Sequence, residues 1–186
     1  MHHVLQLDVR GTPQAWISPE EAASHYASDG VAWELGDSPL LTLRGGYNSV
    51  LGRQSTLVIS PIIATRGMPK RNLFVSPPGV TKAKLLKRDR CVCAYCGETF
   101  RESDLQAEHI VPDSQDGPYS WMNLVAACAY DNSRKANRTP EEAGMPLLYL
   151  PYVPTKFEDF LLRGRNIRAD VHEWLASKLP KESRLI

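Results

Sequence analysis

Long hydrophobic runs are absent: nothing in the 186 residues approaches the roughly 18 consecutive apolar positions that a membrane span needs, so no membrane partner is expected. The opening stretch MHHVLQLDVRG has no apolar core of the signal-peptide kind, which predicts a cytoplasmic protein. Cysteine is missing everywhere except between Cys91 and Cys128, where all four sit. In a reducing compartment such a cluster argues for metal binding over disulfides. Internal repeats and low-complexity tracts are also lacking. Acidic residues are nearly absent from positions 66–90, where eight Lys and Arg face Asp89 alone. The reverse holds for residues 1–43, where six acidic residues face only Arg10. A basic block hidden behind a net charge of +1 suits a polyanionic partner, although a charge run is by itself also an ordinary solvated face.

With 42% hydrophobic and 23% charged residues, the chain has the make-up of a soluble globular protein. VLQLD (4–8) alternates like a strand. Ser18, Pro19 and Glu21 form a capping box at a helix start, and Gly30 is placed to end that helix. VAWEL (31–35), LLTLR (40–44) and STLVISPIIAT (55–65) are candidate strands, with a break or edge required at Pro61. A turn at Ser76–Gly79 marks the main boundary, followed by a basic helix KAKLLKRD capped by Thr81. Thr139, Pro140 and Glu142 open another helix that Gly144 stops, and Thr155 with Glu158 opens one running to Leu162. The last helix, about 167–179, places Val171, Trp174, Leu175 and Leu179 on one face and serves packing.

Chemistry concentrates in the interval between. Cys93 and Cys96, in CAYCG, can hold one cation across a tight turn that Gly97 permits. Their partner is Cys128, with 31 residues between it and Cys96, followed at the second ligand position by Asp131. Aspartate is an acceptable, harder zinc ligand, and Cys91 is an alternative fourth donor; buried cysteines without metal are the plainer reading. Inside the gap, Glu108 and His109 lie on a short apolar run closed by Pro112. A carboxylate beside an imidazole supplies a hard cation ligand and a base that titrates near neutrality, whereas a lone histidine is more often structural. Neighbouring strand residues face opposite ways, so a shared site requires the strand to end or bulge there.

From Arg88 to Ala143, the pieces KRDRCVCAYCG, LQAEHIVPDSQDG, WMNLVAAC, NSRK and RTPEEA follow in an order and spacing that resemble the HNH endonuclease family, in its form with zinc-binding cysteine pairs flanking the catalytic hairpin. The resemblance implies an α+β protein with a ββα-metal core. It implies His109 as general base, Glu108 and Asn132 as ligands of a catalytic Mg²⁺ or Mn²⁺, and Asn123 as the brace of the inter-strand loop. It implies a structural Zn²⁺ on Cys93, Cys96, Cys128 and Asp131, and DNA phosphates held by Lys135 and Arg138, with Arg88 of the basic block beside them. Asp131 departs from the family's cysteine; Asp116-Gly117 replaces its usual glycine pair, and Cys91 stands where an aromatic residue is common.

The expected organisation is a small α+β region over 1–79, the nuclease domain over 80–149 and a helical extension over 150–186. The expected function is metal-dependent hydrolysis of DNA phosphodiesters, leaving 5′-phosphate and 3′-hydroxyl ends. Double-strand cutting by one active site would favour a homodimer. The alternative is a zinc-knuckle DNA-binding module that has lost catalysis.

Overall fold

In the computed structural model, residues 3–67, 77–164, 166–181 and 183–185 are described. Lys70, Arg71 and Ser76, which belong to the basic block and the boundary turn, lie outside them. Two compact units emerge, one drawn from Met1–Val75 and Gly164–Lys178, the other from Ser76–Arg163 and Leu179–Ile186.

The first unit is built on a four-stranded sheet of order β2-β1-β6-β3, from β1 (Val4–Asp8), β2 (Pro13–Ile17), β3 (Val31–Leu35) and β6 (Ile62–Thr65). β1 and β6 pair in parallel and the outer strands antiparallel. Helix α1 (Pro19–Ala27) starts at Ser18 through the expected capping box. It stops before Gly30: Asp29 takes the left-handed conformation, and the Gly30 amide closes back onto the His25 carbonyl at 2.8 Å. β4 (Leu41–Asn48) and β5 (Arg53–Ile59) form a separate hairpin, and Pro61 makes the break before β6 because it has no amide to donate. Val4, Ile17, Ala22, Ile59 and Ile63 close the core. Strand β2 was not foreseen, since it begins with Pro13; it lies at the sheet edge, where a missing donor is tolerated.

The second unit surrounds a two-stranded hairpin, β7 (Leu105–His109) with β8 (Leu124–Cys128), paired in unbroken register from Leu105↔Cys128 to His109↔Leu124. β8 is buried along its whole length, so its continuous apolar run LVAAC reads as a covered strand. Helix α2 (Lys82–Arg88), capped by Thr81, packs against this hairpin. Leu85, Trp121, Leu124 and Leu162 form one cluster beneath it, each fully buried side chain contributing roughly 1.5–3 kcal/mol. Helix α3 (Ala129–Lys135) follows β8 directly, and α4 (Pro140–Ala143) has the expected capping box and a left-handed Gly144. α5 (Lys156–Arg163) begins at the Thr155–Glu158 reciprocal pair and counts with this unit, whereas α6 (Ala169–Ala176) counts with the first. Among the described residues no helix is long and apolar enough to cross a membrane.

Candidate metal centre and active site

The knuckle forms because the chain turns back on itself at Gly97, whose φ of +76 suits a residue without a side chain. Gly97 donates to the Cys93 carbonyl at 3.0 Å, and the Ala94 amide ties the turn to Ala126 of β8 at 2.8 Å. Cys128 is the N-cap of α3, and its sulfur accepts from the Asp131 amide at 3.4 Å. Asp131 thereby points back into the turn, and its Oδ2 lies 3.3 Å from Cys93 Sγ and 3.2 Å from Cys128 Sγ. Ligand atoms of Cys93, Cys96, Cys128 and Asp131 all fall within 4.8 Å of one another. Tetrahedral zinc with Zn–S of about 2.3 Å places ligand atoms roughly 3.5–3.8 Å apart, so this donor set fits that ion. Burial alone would raise the Asp131 carboxyl, yet the thiols of Cys128, Cys93 and Cys96 donating to it hold it below its ordinary range. Cys91 lies outside the group, packed against the apolar cluster around Leu86 and Leu105. The fourth donor the geometry supplies is the aspartate.

The hairpin separates this cluster from the second site. Leu105 pairs with Cys128 at one end, and His109 with Leu124 at the other, four residues or about 13 Å along the strand. α3 runs back along β7 in the same direction, which sets residues three apart on the helix against residues two apart on the strand. Asn132 Nδ2 donates to Gln106 Oε1, and Lys135 Nζ lies 2.7 Å from Glu108 Oε1. Glu108 is thus buried beneath the helix. His109 follows it as the last residue of β7, where the strand ends; it is half-buried, edge-on to Tyr119 with centroids 5.8 Å apart. Among the described residues no carboxylate stands within ion-pairing distance of His109.

Asn123 sits where a brace is needed. Its Oδ1 accepts from the Val111 amide at 2.9 Å, its Nδ2 donates to the Val111 and Pro118 carbonyls at 3.0 Å, and its own carbonyl accepts from Ile110 at 2.9 Å. The loop that follows His109 is therefore pinned within two residues of the ring. In the same loop, Asp116 adopts φ +60, a conformation aspartate tolerates without glycine. Gly117 has no such latitude: a Cβ there would stand 1.8 Å from the Val111 carbonyl oxygen.

Two expected phosphate contacts are corrected. Arg88 is 0% exposed, and all five of its donor hydrogens are used, on Asp89 through Nε and Nη2 and on the Trp121, Tyr152 and Leu124 carbonyls. Lys135 is likewise 0% exposed and bound to Glu108. Neither side chain faces a solvent-borne phosphate. Arg138 is exposed, its guanidinium closing the end of α3 by donating to the Lys135 and Arg134 carbonyls. Sequence reasoning missed Gln106 and the Lys135–Glu108 pair, because both contacts depend on how α3 docks on β7.

Residues 93–138 match the family model for HNH endonuclease. Over these residues the chain matches an HNH endonuclease domain. CRISPR-associated endonuclease Cas9 of Campylobacter jejuni is 38% identical over 80 residues, 40% of this chain. Its counterpart in Actinomyces naeslundii is 32% identical over 92 residues, 49% of this chain, and that in Corynebacterium diphtheriae is 25% identical over 128 residues, 67% of this chain. The matches span 8%, 8% and 11% of those much longer relatives. The HNH match runs from the first knuckle cysteine to Arg138, and so encloses β7, β8, α3 and all four knuckle donors.

Proposed function

We propose that this chain is a metal-dependent endonuclease that hydrolyses DNA phosphodiester bonds, with His109 as general base and a Mg²⁺ or Mn²⁺ held by Glu108 and Asn132. The observation that carries the reading is the register of β7 under α3. It sets a buried carboxylate against the helix that presents Asn132, at the strand end where His109 stands. The donor chemistry fits a hard divalent cation. Glu108 offers carboxylate oxygen, Asn132 spends its amide nitrogen on Gln106 and keeps its carbonyl oxygen as a ligand, and an ammonium already stands at Glu108 as a cationic substitute.

In the proposed reaction, neutral His109 takes a proton from water as the water oxygen attacks phosphorus and the bond to the 3′ oxygen breaks. Asn123 holds the loop after His109, which fixes where the ring can reach. Tyr119 stands edge-on to the ring. When bound, the cation stabilises the charge that develops on the phosphate and the leaving oxygen. Arg138, exposed at the end of α3, is positioned for a phosphate and adds affinity without reading bases. The zinc cluster, at the other end of the hairpin, serves folding.

The test is supercoiled plasmid incubated with the zinc-replete protein and Mg²⁺, Mn²⁺ or neither. Nicking or linearisation is expected with metal, lost in His109→Ala while binding of the same DNA survives. Equal cutting by the variant removes His109 as the base, and wild-type binding without any cutting favours the inactive DNA-binding module.

A further inference from the structure

A fully buried lysine is rare and persists when paired, and Lys135 is held this way by Glu108, its one ion-pair partner among the described residues. It is the last residue of α3. The next residue, Ala136, has φ 51 and ψ −145, a conformation suited to glycine, so the helix end that carries the lysine is held in unfavourable backbone geometry.

We propose that Lys135 is a resident counter-ion that occupies the cation's place at Glu108 and leaves when a divalent metal enters, so that metal binding and exposure of the Lys135 ammonium are a single exchange. This rests on the reading of Glu108 as a metal ligand. The physical reason is like-charge repulsion. An ammonium 2.7 Å from Oε1 and a doubly charged ion on the same carboxylate repel strongly in a site shielded from water. In the free protein the ammonium balances the Glu108 charge and holds the carboxylate oriented under α3. The same contact makes metal entry a competition, and the strained Ala136 lies at the point where the helix end has to give.

Amine acylation of the zinc-replete full chain, read by peptide mass spectrometry, tests this without a variant. Lys135 is expected to resist labelling without Mn²⁺ and to label at least about tenfold faster with saturating Mn²⁺, while exposed Lys178 stays constant. Calorimetry on Lys135→Met is expected to show Mn²⁺ binding at least about tenfold tighter than in the natural chain, since a competing charge is gone. Unchanged Lys135 labelling with Mn²⁺ bound overturns the proposal, as does unchanged or weaker binding by a folded Lys135→Met. Glu108→Gln separates the two levels: if Mn²⁺ binding survives that change, Glu108 is no ligand, and the assignment of the active site fails along with its counter-ion.

Discussion

Replacing Arg88 with lysine distinguishes a DNA contact from a buried framework residue. Both side chains are cationic, so a solvent-facing phosphate contact would keep most of its attraction. Inside the hairpin unit the two differ sharply. Arg88 makes a two-point contact with Asp89, at 2.8 and 3.0 Å, and donates to carbonyls of Trp121, Tyr152 and Leu124 at 2.7 to 3.0 Å. It also lies over the Trp121 and Tyr152 rings. Lysine has three donors on a point charge and cannot reproduce the planar fork, so at least two bonds are lost. At about 1.5 kcal/mol for each bond to a charged group, the cost is about 3 kcal/mol. Asp89 keeps the Ala126 amide and Arg184, which makes the loss less than for deletion of the whole pair. Hydrogen exchange at the β8 amides 124–128 reads this unit by itself. Protection there should fall about a hundredfold, by the equivalence of 1.4 kcal/mol to a factor of ten. A fall of less than about tenfold would refute the reasoning and return Arg88 to the surface.

Three further outcomes follow from the geometry. Asp131→Ala should lose zinc measured by elemental analysis, while Cys91→Ser keeps about one zinc per chain by the four-donor rule; the reverse pattern would move the fourth ligand to Cys91. Gly117→Ala should destabilise the hairpin unit by about 3 kcal/mol or more in urea unfolding, because the added Cβ meets backbone that cannot yield; a cost below about 1 kcal/mol would show that the loop relaxes freely. Asn123→Asp should lower cleavage at least as much as Asn123→Ala, since a carboxylate in place of Nδ2 faces the Val111 and Pro118 carbonyls without a proton to donate; recovery of activity in Asn123→Asp would contradict the bracing role.

By itself the sequence determined most of the local elements and the family resemblance. Capping boxes at Ser18, Thr139 and the Thr155–Glu158 pair set helix starts, and Pro61 set a strand break, because these signals act between residues a few positions apart. The HNH match bears out the family resemblance drawn from the order and spacing of short pieces. The tertiary structure alone decided which partner each charge meets. Arg88 and Lys135 look like surface cations in a basic stretch, yet each is buried, one by the packing of α2 and the other by the register of α3 on β7. The same register puts Gln106 opposite Asn132, and the capping of α3 by Cys128 swings Asp131 toward the cysteines in preference to Cys91. Burial and pairing across 25 or more positions depend on how elements dock, and hydrophobic pattern and spacing do not encode that docking.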